Sequence, residues 1–396
     1  MAISLKKELK KVFNPQSIKS VVFFVLLWRI LTFLIAVVGY FLLAERYAPL
    51  SSLNKFWQNN FLFWSWANFD SEHYLKIAQI GYGYSRGFPL FPFFPLYPLL
   101  LRFFSFLCLG DFFLAGQLII LIFLPLTIYF ANKVLKSKGF NNRRILVIDL
   151  LFLLSPGGVF LNAFYTELPF LFFVALSFYF LSKKKYFGAS LWATLASGTR
   201  VVGIFLAPAI FWKLLKDKEV SWFKKLLFPF ISALGLLFYA SYLGIKFGDP
   251  FLFGLSHQAW GKAQVVFPLI TLWKYVKTII IFPKNLSFLN YYVVVLEFLI
   301  TTGVLFSFIV VWFKSVKKRN VSSILIFSTL CFVLPFLTGS LGTMPRYLLT
   351  FLSLFPYWAG KIIEIRSDII RIGIYAVIFW VFASGVILFT RGYWWG

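Results

Sequence analysis

Apolar runs long enough to cross a membrane recur from residue 21 to residue 390, most of them separated by short polar turns. About 20 apolar residues span a bilayer as a helix. A chain that repeats such runs has too little polar surface to close a water-soluble core. Inside lipid each segment must satisfy its own backbone hydrogen bonds, so the runs are helices. Only 13% of the 396 residues are charged and 60% are hydrophobic, whereas a soluble domain carries about 25% charged residues. The expected fold is an all-α, multi-spanning integral membrane protein forming a single domain over 1–396. About 11 transmembrane helices are expected, near 21–43, 112–134, 144–160, 163–182, 187–198, 201–215, 225–246, 290–313, 321–338, 346–361 and 372–390. The run 21–43 is too long for the apolar core of a signal peptide, so it reads as a retained first helix.

The formal charge of +26 does not point to nucleic acid, because the basic residues form short clusters between apolar runs and no basic soluble segment exists. This is the positive-inside pattern. It places the N-terminus inside and the final RGYWWG outside. The clusters KSKGFNNRR, KKK at 183–185, KLLKDKEVSWFKK, KSVKKR and KIIEIRSDIIR then lie inside. Both flanks of 187–215 are basic, which predicts two half-depth helices meeting outside near Gly198, Thr199 and Arg200. Broken helices are tolerated where the freed backbone lines a cavity. Two outer loops remain, 44–111 and 247–289. The first holds HYLKIAQIGY, a short amphipathic interfacial helix with Tyr74, Ile77 and Ala78 on one stripe. It also holds 91–110, whose Pro92, Pro95 and Pro98 oppose regular helix at its start. That segment reads as proline-led and interfacial rather than spanning. Cys108 and Cys331 sit in apolar surroundings and read as small core residues.

With this topology the scarce ionisable residues gather on the outer side. Asp70, Glu72 and His73 lie in the first outer loop. Glu167 follows the SPGG break, and Arg200 stands at the next outer turn. His257 and Gln258 lie in the second outer loop, and Arg346 and Tyr347 open the tenth helix. Ionisable groups at a membrane are costly when isolated, so their collection at one face suggests a site. Plainer roles stand beside this one. Asp70 or Glu72 suits a helix N-cap, Glu167 suits an ion pair with Arg200, and Arg346 suits an interface anchor. The histidines suit structural roles, and Asp249 in Gly-Asp-Pro suits a turn. The histidines are far apart in sequence and no HExxH, P-loop or GxGxxG is present, so no metal or nucleotide site is indicated.

Six segments together resemble the PIG-V family of dolichol-phosphate-mannose-dependent mannosyltransferases, membrane glycosyltransferases of the GT-C fold. They are FDSEHYLKIAQIGY, FFPLYPLLLRFF, SPGGVFLNAFYTELPFLF, LASGTRVVGIFLAPA, GDPFLFGLSHQAWGK and PRYLLTFLSLFP, in the family's order. One departure is Phe69, where the family usually has Trp before the catalytic Asp. The resemblance implies transfer of mannose or a related hexose, with inversion, from a polyprenyl-phosphate donor to an acceptor hydroxyl. Asp70 would be the general base. Arg200 and Arg346 would meet the lipid phosphate. His257 and Gln258 would hold sugar or phosphate oxygens, while Glu72, His73, Glu167 and Tyr347 would position substrate or the arginines. No cofactor is implied beyond this lipid-linked donor, a divalent metal being left open. The partners are membrane lipids and a glycolipid, glycan or protein acceptor, with no nucleic acid. The site would face the extracytoplasmic side of a prokaryotic plasma membrane, or the lumen of the endoplasmic reticulum in a eukaryote. The rival is a flippase for polyprenyl-linked glycans, in which broken helices and intramembrane charge also occur.

Overall fold

The computed structural model describes residues 14–46, 55–85, 87–260, 265–284 and 286–395. Part of the basic N-terminal flank, part of the first outer loop, and Gly261 and Lys262 of the second lie outside these residues. Within them the chain is almost wholly helical; one two-residue antiparallel pair joins Tyr84–Ser85 to Phe88–Pro89. The helices of ten residues or more begin with α1 (Ile18–Leu42), α2 (Asp70–Ile80), α3 (Leu96–Leu107), α4 (Phe112–Ser137) and α5 (Asn142–Leu153). Then come α6 (Glu167–Ser182), α7 (Tyr186–Thr199), α8 (Leu206–Leu215), α9 (Trp222–Phe247) and α10 (Pro268–Ile281). The last are α11 (Phe288–Lys317), α12 (Ser323–Phe336), α13 (Leu354–Glu364) and α14 (Asp368–Thr390). By length and composition α1, α4, α9, α11 and α14 can cross a membrane, and several shorter apolar helices accompany them. The chain is an all-α protein of membrane type.

The helix α6 sits at the centre. Its sequence has no polar face, and every residue from Glu167 to Phe178 is buried, as a helix apolar all round requires. It packs against α4 on one side and α7 on another, and α7 packs in turn on α9. The peripheral helices behave in the opposite way. On α9 the side chains of Phe223, Leu226, Phe230 and Ile245 point outward, and on α14 those of Ile369, Ile372 and Val377 do the same. Rows of outward apolar side chains fit contact with lipid rather than water.

The break expected near Arg200 is present. Arg200 is extended between α7 and a 3-10 turn, Val201–Phe205, that leads into α8. The chain turns back so tightly that a Cβ on Gly203 would lie 2.4 Å from the Ala196 carbonyl. Elsewhere proline shortens what hydrophobicity alone extends. The helix expected over 144–160 stops at Leu153, and Pro156–Leu161 forms a 3-10 turn. The next helix starts at Glu167 instead of 163. The one expected over 346–361 is two pieces, Met344–Tyr347 and α13, because Pro356 fits only the first turn of a new helix. In 91–110 Pro92 and Pro95 precede α3 and Pro98 falls in its first turn; at 12 residues α3 reaches about 18 Å and falls short of crossing. The stripe Tyr74, Ile77 and Ala78 is buried on α2. The second outer loop contains a helix that hydrophobicity did not single out, α10.

Candidate functional site

Four charged side chains meet where the starts of α2 and α6, the end of α7 and the Met344–Tyr347 turn come together. Asp70 is the first residue of α2, and its entry is sharp. Phe69 before it has φ 55 and ψ −120, a conformation that costs a residue with a Cβ roughly 1–3 kcal/mol. The ring of Phe69 is held against Phe389 (5.7 Å) and Trp394 (5.8 Å). Asn68 Nδ2 donates to the Phe389 carbonyl at 2.9 Å, fixing the turn from the other side. The Asp70 amide donates to the Tyr165 hydroxyl at 3.2 Å.

Glu167 opens α6, where the helix N-terminus favours a negative charge. Arg200 projects from the break after α7. Arg346 depends on a glycine. A Cβ on Gly157 would lie 2.6 Å from the Pro345 carbonyl oxygen, so only glycine lets the Pro156–Leu161 turn lie against the turn that carries Arg346. In that position the guanidinium stacks over the rings of Tyr165 (4.5 Å) and Phe160 (5.6 Å).

The resulting network is closed. Arg346 Nη1 donates to Asp70 Oδ2 at 2.6 Å, its Nε donates to Glu167 Oε1, and its Nη2 donates to Glu167 Oε2 at 3.3 Å. Arg200 Nη1 donates to Glu167 Oε1 and to Thr166 Oγ1, the latter at 3.2 Å. The hydroxyls of Tyr74 and Thr166 are 3.2 Å apart. Burial pushes the Tyr74 hydroxyl up to about 12, with Arg346 opposing and Asp70 reinforcing the rise. It therefore stays protonated at neutral pH. Two carboxylates balance two guanidinium groups, the condition under which charges survive burial. Glu167 keeps 3% exposure and Asp70 keeps 24%. Glu167 is the internal brace, and Asp70 is the open end.

Asp70 opens into a cavity of about 260 Å³ lined also by Arg200, His257, Arg346, Tyr347 and Trp394. Arg200 lies 5.3 Å over the Tyr347 ring. Of the residues singled out in the sequence, Asp70, Arg200, His257, Arg346 and Tyr347 thus share one wall, with Glu167 directly behind it. Three stand apart. Glu72 follows Asp70 by two positions and so faces away on a helix; it is half-buried and does not line the cavity. His73 packs its ring 4.8 Å from Phe93, a lining residue, without lining the cavity itself. Gln258 is exposed on a 3-10 turn. Asp70 does not serve as the cap of α2, since Phe69 holds that position, whereas Asp249 accepts from the Phe251 amide at 2.7 Å as a turn residue does.

Tyr74, Thr199, Thr343 and Trp394 line the cavity too, and sequence reasoning did not select them. Tyr74 had a usable signal, because it stands four residues after Asp70 and so on the same helix face. Trp394 had none, being brought in from the far end of the chain. Among the described residues no group of three or more His, Cys, Asp or Glu side chains is arranged to hold a metal ion. Compared with models of known protein families and with curated proteins, the chain matches none.

Proposed function

We propose that the chain is a membrane glycosyltransferase of the PIG-V type in the GT-C class, moving mannose or a related hexose from a polyprenyl phosphate to an acceptor hydroxyl. On this reading the helical bundle has the expected eleven segments, with Asp70 on the extracytoplasmic face and the lysine-rich turns in the cytosol. The observation that carries it is the Asp70 carboxylate opening into a cavity beside two guanidinium groups. A base and a cationic wall are what displacement of a lipid phosphate by an alcohol needs.

The acceptor oxygen attacks the anomeric carbon, the bond from that carbon to the phosphate oxygen breaks, and the phosphate leaves with the electron pair. Asp70 takes the acceptor's proton. A single displacement inverts the anomeric centre. Glu167 takes two of the three Arg346 donors in the network, so Arg346 holds Asp70 through Nη1 alone. The acceptor hydroxyl becomes a strong acid as it bonds to the anomeric carbon, so a carboxylate suffices as its base. Both arginines are candidates for the phosphate from sequence, and their geometry separates them. Arg346 commits Nε, Nη1 and Nη2 to carboxylates, while Arg200 commits Nη1 to Glu167 and Thr166. Arg200 is therefore the phosphate contact, and Arg346 sets the orientation of Asp70. His257, on the same wall, is placed for sugar or phosphate oxygens.

The experiment is transfer of radiolabelled mannose from polyprenyl-phosphate-mannose by purified protein in detergent, wild type against Asp70→Asn. Loss of general-base help is worth roughly 10²–10⁴ in rate, so the variant should fall by that factor while remaining folded. Equal turnover in the two proteins removes Asp70 as base. No turnover with any lipid-linked sugar or acceptor turns the reading toward a flippase.

A further inference from the structure

At the end of α6 away from Glu167 lies a second cavity, of about 280 Å³. Its wall carries Lys138, Lys213 and Lys216, with Ser137 and Ser182 between them. Among the described residues no acidic side chain lines it. The carboxylates of Asp217 and Glu219 near this end pair with Lys184 instead. Among the described residues neither Lys138 nor Lys213 has an ion-pair partner, and Lys216 donates to the Val321 carbonyl at 2.7 Å. Partial burial, and then the nearby Lys213 charge, lower the pKa of the Lys138 ammonium. The first turn of α12, capped by Ser322, borders the same space, and its amide end adds positive potential. Like charges held together with no counter-charge in the wall call for an anion.

A narrow apolar slot adjoins this space on its inner side. Val134, Phe178 and Ile324 line both parts, and beyond them come Ile128, Phe152 and Leu171. The slot's one carboxyl, Asp149, already accepts from Asn132 Nδ2 at 2.9 Å. A cationic mouth beside an apolar slot, the two sharing part of one wall, matches a molecule with an anionic head and a hydrocarbon tail.

We propose that this cavity binds an anionic phospholipid of the adjoining leaflet, the phosphate headgroup held by Lys138, Lys213 and Lys216 and an acyl chain entering the slot between α4, α6 and α12. The inference does not depend on glycosyl transfer. A phosphate without a tail would satisfy the lysines alone, and the slot argues for the lipid. Free inorganic phosphate is the source that the test must separate from it.

The test is native mass spectrometry of the delipidated full chain titrated in detergent with dioleoyl phosphatidylglycerol, and in parallel with dioleoyl phosphatidylcholine. Wild type should retain phosphatidylglycerol in preference to phosphatidylcholine, and millimolar inorganic phosphate should not displace it. The combined Lys138→Ala, Lys213→Ala and Lys216→Ala variant should bind it about a hundredfold more weakly, the scale expected for losing three ammonium groups at a headgroup. The corresponding triple Lys→Arg variant should retain it, which separates charge from folding. Ala131→Phe, which fills the slot and leaves the lysines in place, should weaken it as well. Equal retention of the two lipids, or full retention by the triple alanine variant, overturns the site. Displacement by inorganic phosphate, or indifference to Ala131→Phe, overturns the lipid as its occupant.

Discussion

The two ends of α6 handle charge in opposite ways. At its start Glu167 is locked between Arg200 and Arg346, and Asp70 completes a neutral set of four. At its finish, about 24 Å away by helical rise, three lysines share a cavity with no acid in its wall among the described residues. The first end is organised before any ligand arrives, and the second is completed by one. A compensated cluster suits chemistry, because its geometry is fixed by internal partners and needs no rearrangement. An uncompensated cluster suits recognition, because the missing charge is the ligand's. Composition alone treats all seven residues alike, as scarce acids and abundant bases.

This contrast can be broken by removing one charge from each end. The largest effect is expected for Glu167→Ala. It strands two buried guanidinium groups, and removing one partner of a buried pair costs roughly 3–5 kcal/mol. Thermal unfolding in detergent should show a marked loss of stability, together with loss of transfer. A wild-type transition would mean that the four charges are not the brace described above. Next comes Arg200→Lys, which keeps the charge but replaces the planar fork with a point charge. Affinity for the polyprenyl-phosphate donor, read as KM at saturating acceptor, should weaken by about tenfold, some 1.4 kcal/mol. An unchanged KM would move the phosphate contact elsewhere in the cavity. The smallest effect belongs to the other end. Lys213→Ala removes one of several mutually repelling charges at the cavity mouth, so stability should shift by no more than about 0.5 kcal/mol in either direction. A drop of several kcal/mol there would show a hidden partner and erase the difference between the ends.

Much of this architecture was legible from the sequence, for reasons that differ by element. Apolar runs mark α1, α4, α9, α11 and α14 because membrane helices are written in hydrophobicity alone. The break at Arg200 was legible because basic flanks on both sides forbid a simple crossing. Helix ends near 153, 167 and 347 were not, since they are set by Pro156, the glycine turn and Pro356 acting on packing rather than by hydropathy. Residues of the site were visible where an ionisable group stands out against apolar surroundings, as Asp70, Glu167, Arg200 and Arg346 do. Their pairing scheme was only half visible. The Glu167–Arg200 pair was one of the readings open from sequence, but Arg346 reaching both carboxylates depends on contacts between segments far apart in the chain. Glu72, His73 and Gln258 lie off the cavity wall, since sequence proximity to Asp70 or His257 does not decide which way a side chain points.

Gly157 contributes no functional group, yet it decides where one is held. Because no atom can be added there without meeting the Pro345 carbonyl, the reach of Arg346 toward Asp70 is set by a clearance rather than by an attraction. Segments 156–161 and 344–347 must accordingly vary together: bulk gained by one has to be surrendered by the other, or the base and its guanidinium part company while every charged residue is still in place.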